Sequence, residues 1–162
     1  MSDAIRVGVI GVGYLGRFHA RIYNDMPGVE LVGVVDTDRE TADRIAAEYD
    51  TRALYDPMAL LDQVDVVSVV VPTSLHRQVA VPYLEKGIHM LLEKPVASTL
   101  EDAKVIVETA RKHNATLQIG HLERFNAGIM ALADHVNKPR FIEAHRLGPF
   151  VERATDVDVV TD

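Results

Sequence analysis

Two groups of residues in this 162-residue sequence have the types and spacing that chemistry needs. The first is Gly11-Val12-Gly13-Tyr14-Leu15-Gly16, a G-x-G-x-x-G string, with Asp36 standing 36 − 16 = 20 residues beyond its last glycine. In such a string the first glycine permits a tight turn, the second lets backbone approach a pyrophosphate, and the third lets a helix pack close to a strand. Phosphates would then rest against the free N–H groups around Tyr14 and Leu15, at the positive end of the helix that follows. An acid at the position of Asp36 suits the two hydroxyls of a ribose and repels a 2′-phosphate, so NAD is favoured over NADP. Thr37 sits beside it on the ribose side. Arg39 reads either as a phosphate partner or as a solvated residue at a helix start. Without a ligand, the same glycines would make only a strand-to-helix turn.

The second group lies just past three apolar runs: Pro72-Thr73-Ser74-Leu75-His76, Glu93-Lys94-Pro95, and Gly120-His121-Leu122-Glu123-Arg124. In an open parallel sheet the ligand binds beyond the carboxyl ends of the strands, which is where these residues would fall. From position alone Lys94 has two readings, a cation for a substrate oxygen or a partner for Glu93. His76 and His121 are candidates at the same crevice, and each reads equally as a satisfied structural histidine. No spacing of histidines and acids suits a metal, so none is expected. The absence of cysteine excludes disulfides and thiolate chemistry.

Positioning these residues calls for alternating strands and helices. Apolar, β-branched runs at 5–10, 31–35, 66–71, 88–92 and 116–119 predict strands, with a short one at Leu54. They are apolar on both faces, as strands covered by helices on both sides require. Helical periodicity predicts helices over 14–25, 39–49, 74–86 and 100–113 and a short one at 57–61. Thr99, three residues before Asp102, reads as an N-cap, Pro82 predicts a kink or break, and His19 and His113 read as helix-surface residues. The expected class is therefore α/β, a doubly wound parallel sheet over residues 1–120. Beyond it, a helix-like stretch at 126–136 and an alternating strand at 140–147 predict the incomplete start of an α+β substrate domain over 121–162.

The composition narrows the partners. A net charge of −7 and a pI near 5.4 leave no cluster of Lys and Arg for a nucleic acid backbone. No apolar run approaches the roughly 18 residues of a membrane span, and the N-terminus has no signal-peptide core, so a cytoplasmic protein is expected.

Taken in order, G-x-G-x-x-G, V-P-T-x-x-H, E-K-P and G-H-x-E-R-F-N resemble the Gfo/Idh/MocA oxidoreductases, named for glucose–fructose oxidoreductase and inositol dehydrogenase. The resemblance spans nearly the whole chain. It implies a dehydrogenase in which Lys94 contacts the nicotinamide ribose and the substrate hydroxyl, and it implies a cis peptide before Pro95. The tail, from Phe141-Ile142-Glu143 to Thr155-Asp156-Val157, is similar to a narrower group that oxidises the 3-hydroxyl of UDP-N-acetylglucosamine, although Ala127 stands where that group has proline. In the family a D-x-x-x-H motif supplies a proton-accepting histidine. Asp162 aligns with its aspartate, and the histidine would lie four residues beyond the last residue, so the chain is expected to bind NAD yet turn over little. The resemblance implies a sugar or nucleotide-sugar substrate and a homo-oligomer for the full-length protein. A non-catalytic NAD-sensing module, or an inositol or hexose dehydrogenase, are the alternative readings.

Overall fold

The structure, a computed structural model, describes residues 4–133, 135–143 and 145. Six strands, β1 (Ile5–Ile10), β2 (Val29–Val35), β3 (Arg52–Leu54), β4 (Val66–Val69), β5 (His89–Leu92) and β6 (Leu117–Ile119), form one sheet in the order β3-β2-β1-β4-β5-β6. All five pairings are parallel. The helices are α1 (Gly16–Asp25), α2 (Arg39–Glu48), α3 (His76–Glu85), α4 (Leu100–Lys112) and α5 (Ala127–Ala133). The order runs outward in both directions from β1 and β4, so a cleft opens between the carboxyl ends of those two strands.

The central strands β1, β2 and β4 bury both of their faces. In β1, Val9 packs with Ala20 of α1 and Ile45 of α2, whereas its neighbour Ile10 packs with Val79, Leu84 and Ile106 on the side of α3 and α4. The same alternation separates Val34 from Val35. In β4, Val67 and Val69 face the α3/α4 core, which leaves Ser68 between them on the α1 side. Ser68 is fully buried, a polar residue inside an apolar strand.

Several expected elements shift. The predicted helix 14–25 starts at Gly16, and 74–86 divides into a 3-10 turn, Thr73–Leu75, followed by α3. Pro82 does not break α3, which runs through it. The bond that proline forfeits would be accepted at Gln78, an exposed position where water can replace it. Residues 57–61 form hydrogen-bonded turns rather than a helix, tied down by Tyr83, whose hydroxyl donates to Pro57 O at 2.5 Å. Thr99 caps α4 as expected: its Oγ1 accepts from the Asp102 amide at 3.1 Å.

Past β6, the helix expected at 126–136 is the shorter α5. The strand expected at 140–147 is absent from residues 140–143 and 145, and its other residues lie outside the described ones. A parallel strand needs a neighbour to exchange hydrogen bonds, and β6 already ends the sheet at Ile119. Leu122, Phe125, Ile129, Met130, Phe141 and Ile142 are exposed. Among the described residues no helix is long and apolar enough to cross a membrane.

Candidate dinucleotide and active site

The turn after β1 is built by steric necessity. Gly11 has φ +86°, and a Cβ on it would lie 2.5 Å from Val70 O. A Cβ on Gly16 would lie 1.8 Å from Gly11 O, so only glycine lets α1 begin this close to the end of β1. At Gly13 a Cβ would meet no protein atom within 4 Å, and the residue is exposed. The start of α1 has no acidic residue in its first turn, and no side chain caps it. The Arg17 and Phe18 amides turn back to Gly13 O and Leu15 O, and the positive dipole end of α1 meets no acid of its own first turn.

Asp36 follows β2 and is already at work. Its Oδ2 accepts from the Val12 amide at 2.9 Å and its Oδ1 accepts from the Asp38 amide at 3.0 Å. One carboxylate thus ties the glycine turn to the loop before α2, and with each oxygen accepting one bond it keeps lone pairs for further donors. Thr37 is exposed beside it. Arg39 is exposed at the first position of α2, as the second of its two readings had it, and its guanidinium lies 4.4 Å from the centroid of the Tyr55 ring, whose hydroxyl donates to Asp43 at 2.7 Å. Tyr14 is exposed and meets Phe18 edge-on at 5.9 Å, with Arg17 over both rings. Leu15 is partly exposed at the same turn.

On the other side of the cleft stand the ends of β4, β5 and β6. Pro72 is exposed and Thr73 buried where the 3-10 turn begins. His76 is 1% exposed and spans two backbone carbonyls, with Nε2 3.0 Å from Val71 O and Nδ1 3.2 Å from Val96 O. A neutral ring has one N–H and can satisfy one of these carbonyls, and only the doubly protonated ring satisfies both. The structure places His76 as a brace between loops, with neither ring nitrogen turned to the cleft. His121 is exposed after β6.

Glu93 and Lys94 follow β5 directly. The Lys94–Pro95 peptide is cis, as the resemblance implied. Lys94 is exposed, and its amide donates to Glu93 Oε2 at 3.2 Å. Glu93 is buried. Burial pushes its carboxyl up, but the neighbouring His19 ring, the Lys94 amide and the Lys94 charge outweigh that and hold it below the usual range. Asp162 lies outside the described residues. No group of metal-ligating side chains assembles among the described residues.

Sequence reasoning missed one part of the site. His19 is not a helix-surface residue: its Nδ1 is 2.7 Å from Ser68 Oγ and its Nε2 is 3.3 Å from Glu93 Oε1. The 3.3 Å approach lacks the alignment of a hydrogen bond, and Oε1 has no hydrogen-bond partner among the described residues. A serine inside the apolar run 66–71, opposite His19 and Tyr23 four residues apart on one helix face, was the available signal.

The fold and cleft define a class, a doubly wound dinucleotide-binding domain with a lysine at the strand-end edge. The chain belongs to the Gfo/Idh/MocA oxidoreductase family, whose sequence model, described as an NAD-binding Rossmann fold, matches residues 5–121. It is 43% identical over 159 residues to the UDP-N-acetylglucosamine 3-dehydrogenase of Acidithiobacillus ferrooxidans, covering 98% of this chain and 50% of that protein. A solved structure of that enzyme, GnnA, superposes with a TM-score of 0.88 at 42% identity, covering 98% of this chain and 52% of the other. The scyllo-inositol 2-dehydrogenase (NAD(+)) of Bacillus subtilis is 30% identical over 91% of this chain and 43% of its own length. The chain thus spans about half the length of the curated relatives it matches.

Proposed function

We propose that this chain is the dinucleotide-binding half of a dehydrogenase that moves hydride between NAD and a secondary hydroxyl of a sugar or nucleotide-sugar, the 3-hydroxyl of UDP-N-acetylglucosamine being the first candidate. The observation that carries the proposal is Lys94. It stands at the carboxyl end of β5, on the same edge of the sheet as Gly11 and Asp36, with its backbone anchored by a buried carboxylate. A module that only sensed NAD would need the glycine turn and Asp36 but no such lysine.

The residues present fit the cofactor. The uncapped first turn of α1 and the open space at Gly13 suit a pyrophosphate, and Asp36 suits the ribose hydroxyls. Bound there, the nicotinamide would supply the hydride acceptor. The chain's own residues do the rest. The glycine turn and the positive end of α1 hold phosphate, Asp36 selects the unphosphorylated ribose, and the Lys94 ammonium steadies negative charge as the substrate oxygen loses its proton to a base. We place the boundary of this half near residue 120, with residues 121–162 beginning a substrate domain. Because the relatives are about twice as long, these residues alone are expected to bind NAD and to turn over little. The 30% identity to an inositol dehydrogenase favours a cyclitol as the second reading.

The test is turnover of the full-length protein against a panel of UDP-sugars and inositols with NAD or NADP. Lys94→Ala should abolish oxidation and leave NAD affinity within a few-fold. Loss of NAD binding without a specific loss of chemistry, or no turnover of any sugar by the parent, would overturn the proposal in favour of a binding module.

A further inference from the structure

Three polar side chains run through the interior between α1 and the catalytic edge of the sheet. Ser68 Oγ meets His19 Nδ1 at 2.7 Å, and His19 Nε2 lies 3.3 Å from Glu93 Oε1. His19 and Glu93 have side chains 10% and 9% exposed, so the contact is nearly sealed from water. Resting on the functional reading above, we propose that His19 is a positioning residue: it orients the Glu93 carboxylate, which in turn fixes the backbone from which Lys94 reaches the reacting hydroxyl.

Proton placement makes the chain self-consistent. If Ser68 donates to His19 Nδ1, the neutral ring carries its proton on Nε2, the atom 3.3 Å from Glu93 Oε1. Glu93 Oε2 accepts from the Lys94 amide at 3.2 Å, so the two oxygens of one side chain join α1 to the Lys94 backbone. The far wall is Gly120, where a Cβ would stand 2.7 Å from Glu93 Oε1. The carboxylate is held between a histidine and a bare backbone, with little room to turn. An apolar strand that only had to pack would carry valine at position 68, as it does at 67 and 69. The buried serine costs stability unless it is hydrogen-bonded, and its partner is the histidine that faces Glu93.

The test compares His19→Ala, His19→Asn and His19→Gln. Asparagine can replace Nδ1 toward Ser68 but falls short of Glu93, whereas the glutamine amide can reach Glu93. In the chain described here, the Lys94 amide resonance in a ¹H–¹⁵N spectrum should move in His19→Ala and His19→Asn and return in His19→Gln. In the full-length protein kcat should fall about tenfold or more in the first two and recover in the third, as displacement of a reacting group requires, with KM and NAD affinity little changed. A Lys94 resonance unmoved by all three substitutions, with melting temperature alone affected, would show a packing role and overturn the proposal. Should His19→Ala fail to fold, the Asn and Gln pair decides, since asparagine keeps only the Ser68 contact and glutamine the Glu93 contact. If the parent protein oxidised no sugar, the functional reading would fall, and the Lys94 resonance would still decide what His19 does.

Discussion

Replacing Asp36 by alanine should damage the protein twice, once before any cofactor arrives. Val12 is fully buried, and its amide donates to Asp36 Oδ2 at 2.9 Å. The Asp38 amide, at an exposed residue, can turn to water when Oδ1 is removed, but the Val12 amide has no such recourse. Leaving a buried donor unpaired costs about 1–3 kcal/mol. A central figure of about 2 kcal/mol lowers the melting temperature of a domain this size by roughly 4–8 °C. The second loss appears only on binding. Charge-assisted bonds to ribose hydroxyls contribute about 1.5–3 kcal/mol, which corresponds to roughly tenfold to hundredfold weaker NAD binding. NADP should lose less, since removing the carboxylate also removes its repulsion of the 2′-phosphate. Thermal denaturation of the ligand-free chain and calorimetric titration with each dinucleotide separate the two effects. An alanine variant that melts within a degree of the parent, or that loses NAD and NADP affinity equally, would refute this account of Asp36.

Two further outcomes follow from the described contacts. Glu93 has its carboxyl held below its ordinary value of 4.5, so it contributes stability that is fully present above that pH and is lost as pH falls through the lower folded value. Glu93→Gln should flatten that acid limb when melting temperature is followed from neutral pH downward, and an unchanged limb would count against it. Thr99→Ala removes the cap of α4 and should cost about 1 kcal/mol by denaturant unfolding, with NAD affinity intact because α4 begins away from the glycine turn.

The parts of this molecule legible in its sequence are those fixed by neighbours in the chain. β1 is bounded by an apolar run and by Gly11, and the Thr99 cap needs only Asp102 three residues on. The glycine turn and Asp36 are readable because their spacing is dictated by one turn and one adjacent strand. His19 was not readable in that way. Its role depends on Ser68 and Glu93, which are 49 and 74 residues distant and meet it only because β4 lies beside β1 and β5 lies beside β4. Pro82 misled for the opposite reason. A local rule predicted a break, and the packing of Val79, Ala80, Tyr83 and Leu84 into the core holds the helix together across it.

The brace at His76 has a consequence for how the catalytic edge can move. Its ring joins the carbonyl at the end of β4 to the loop that follows the cis peptide of Lys94, bridging two connections that the sheet itself leaves separate. The stretch that carries Lys94 is therefore tethered at both ends, by Glu93 on one side and by Val96 on the other. A substrate arriving at this edge meets a pre-set lysine backbone, and any adjustment on binding must come from the Lys94 side chain or from the substrate itself.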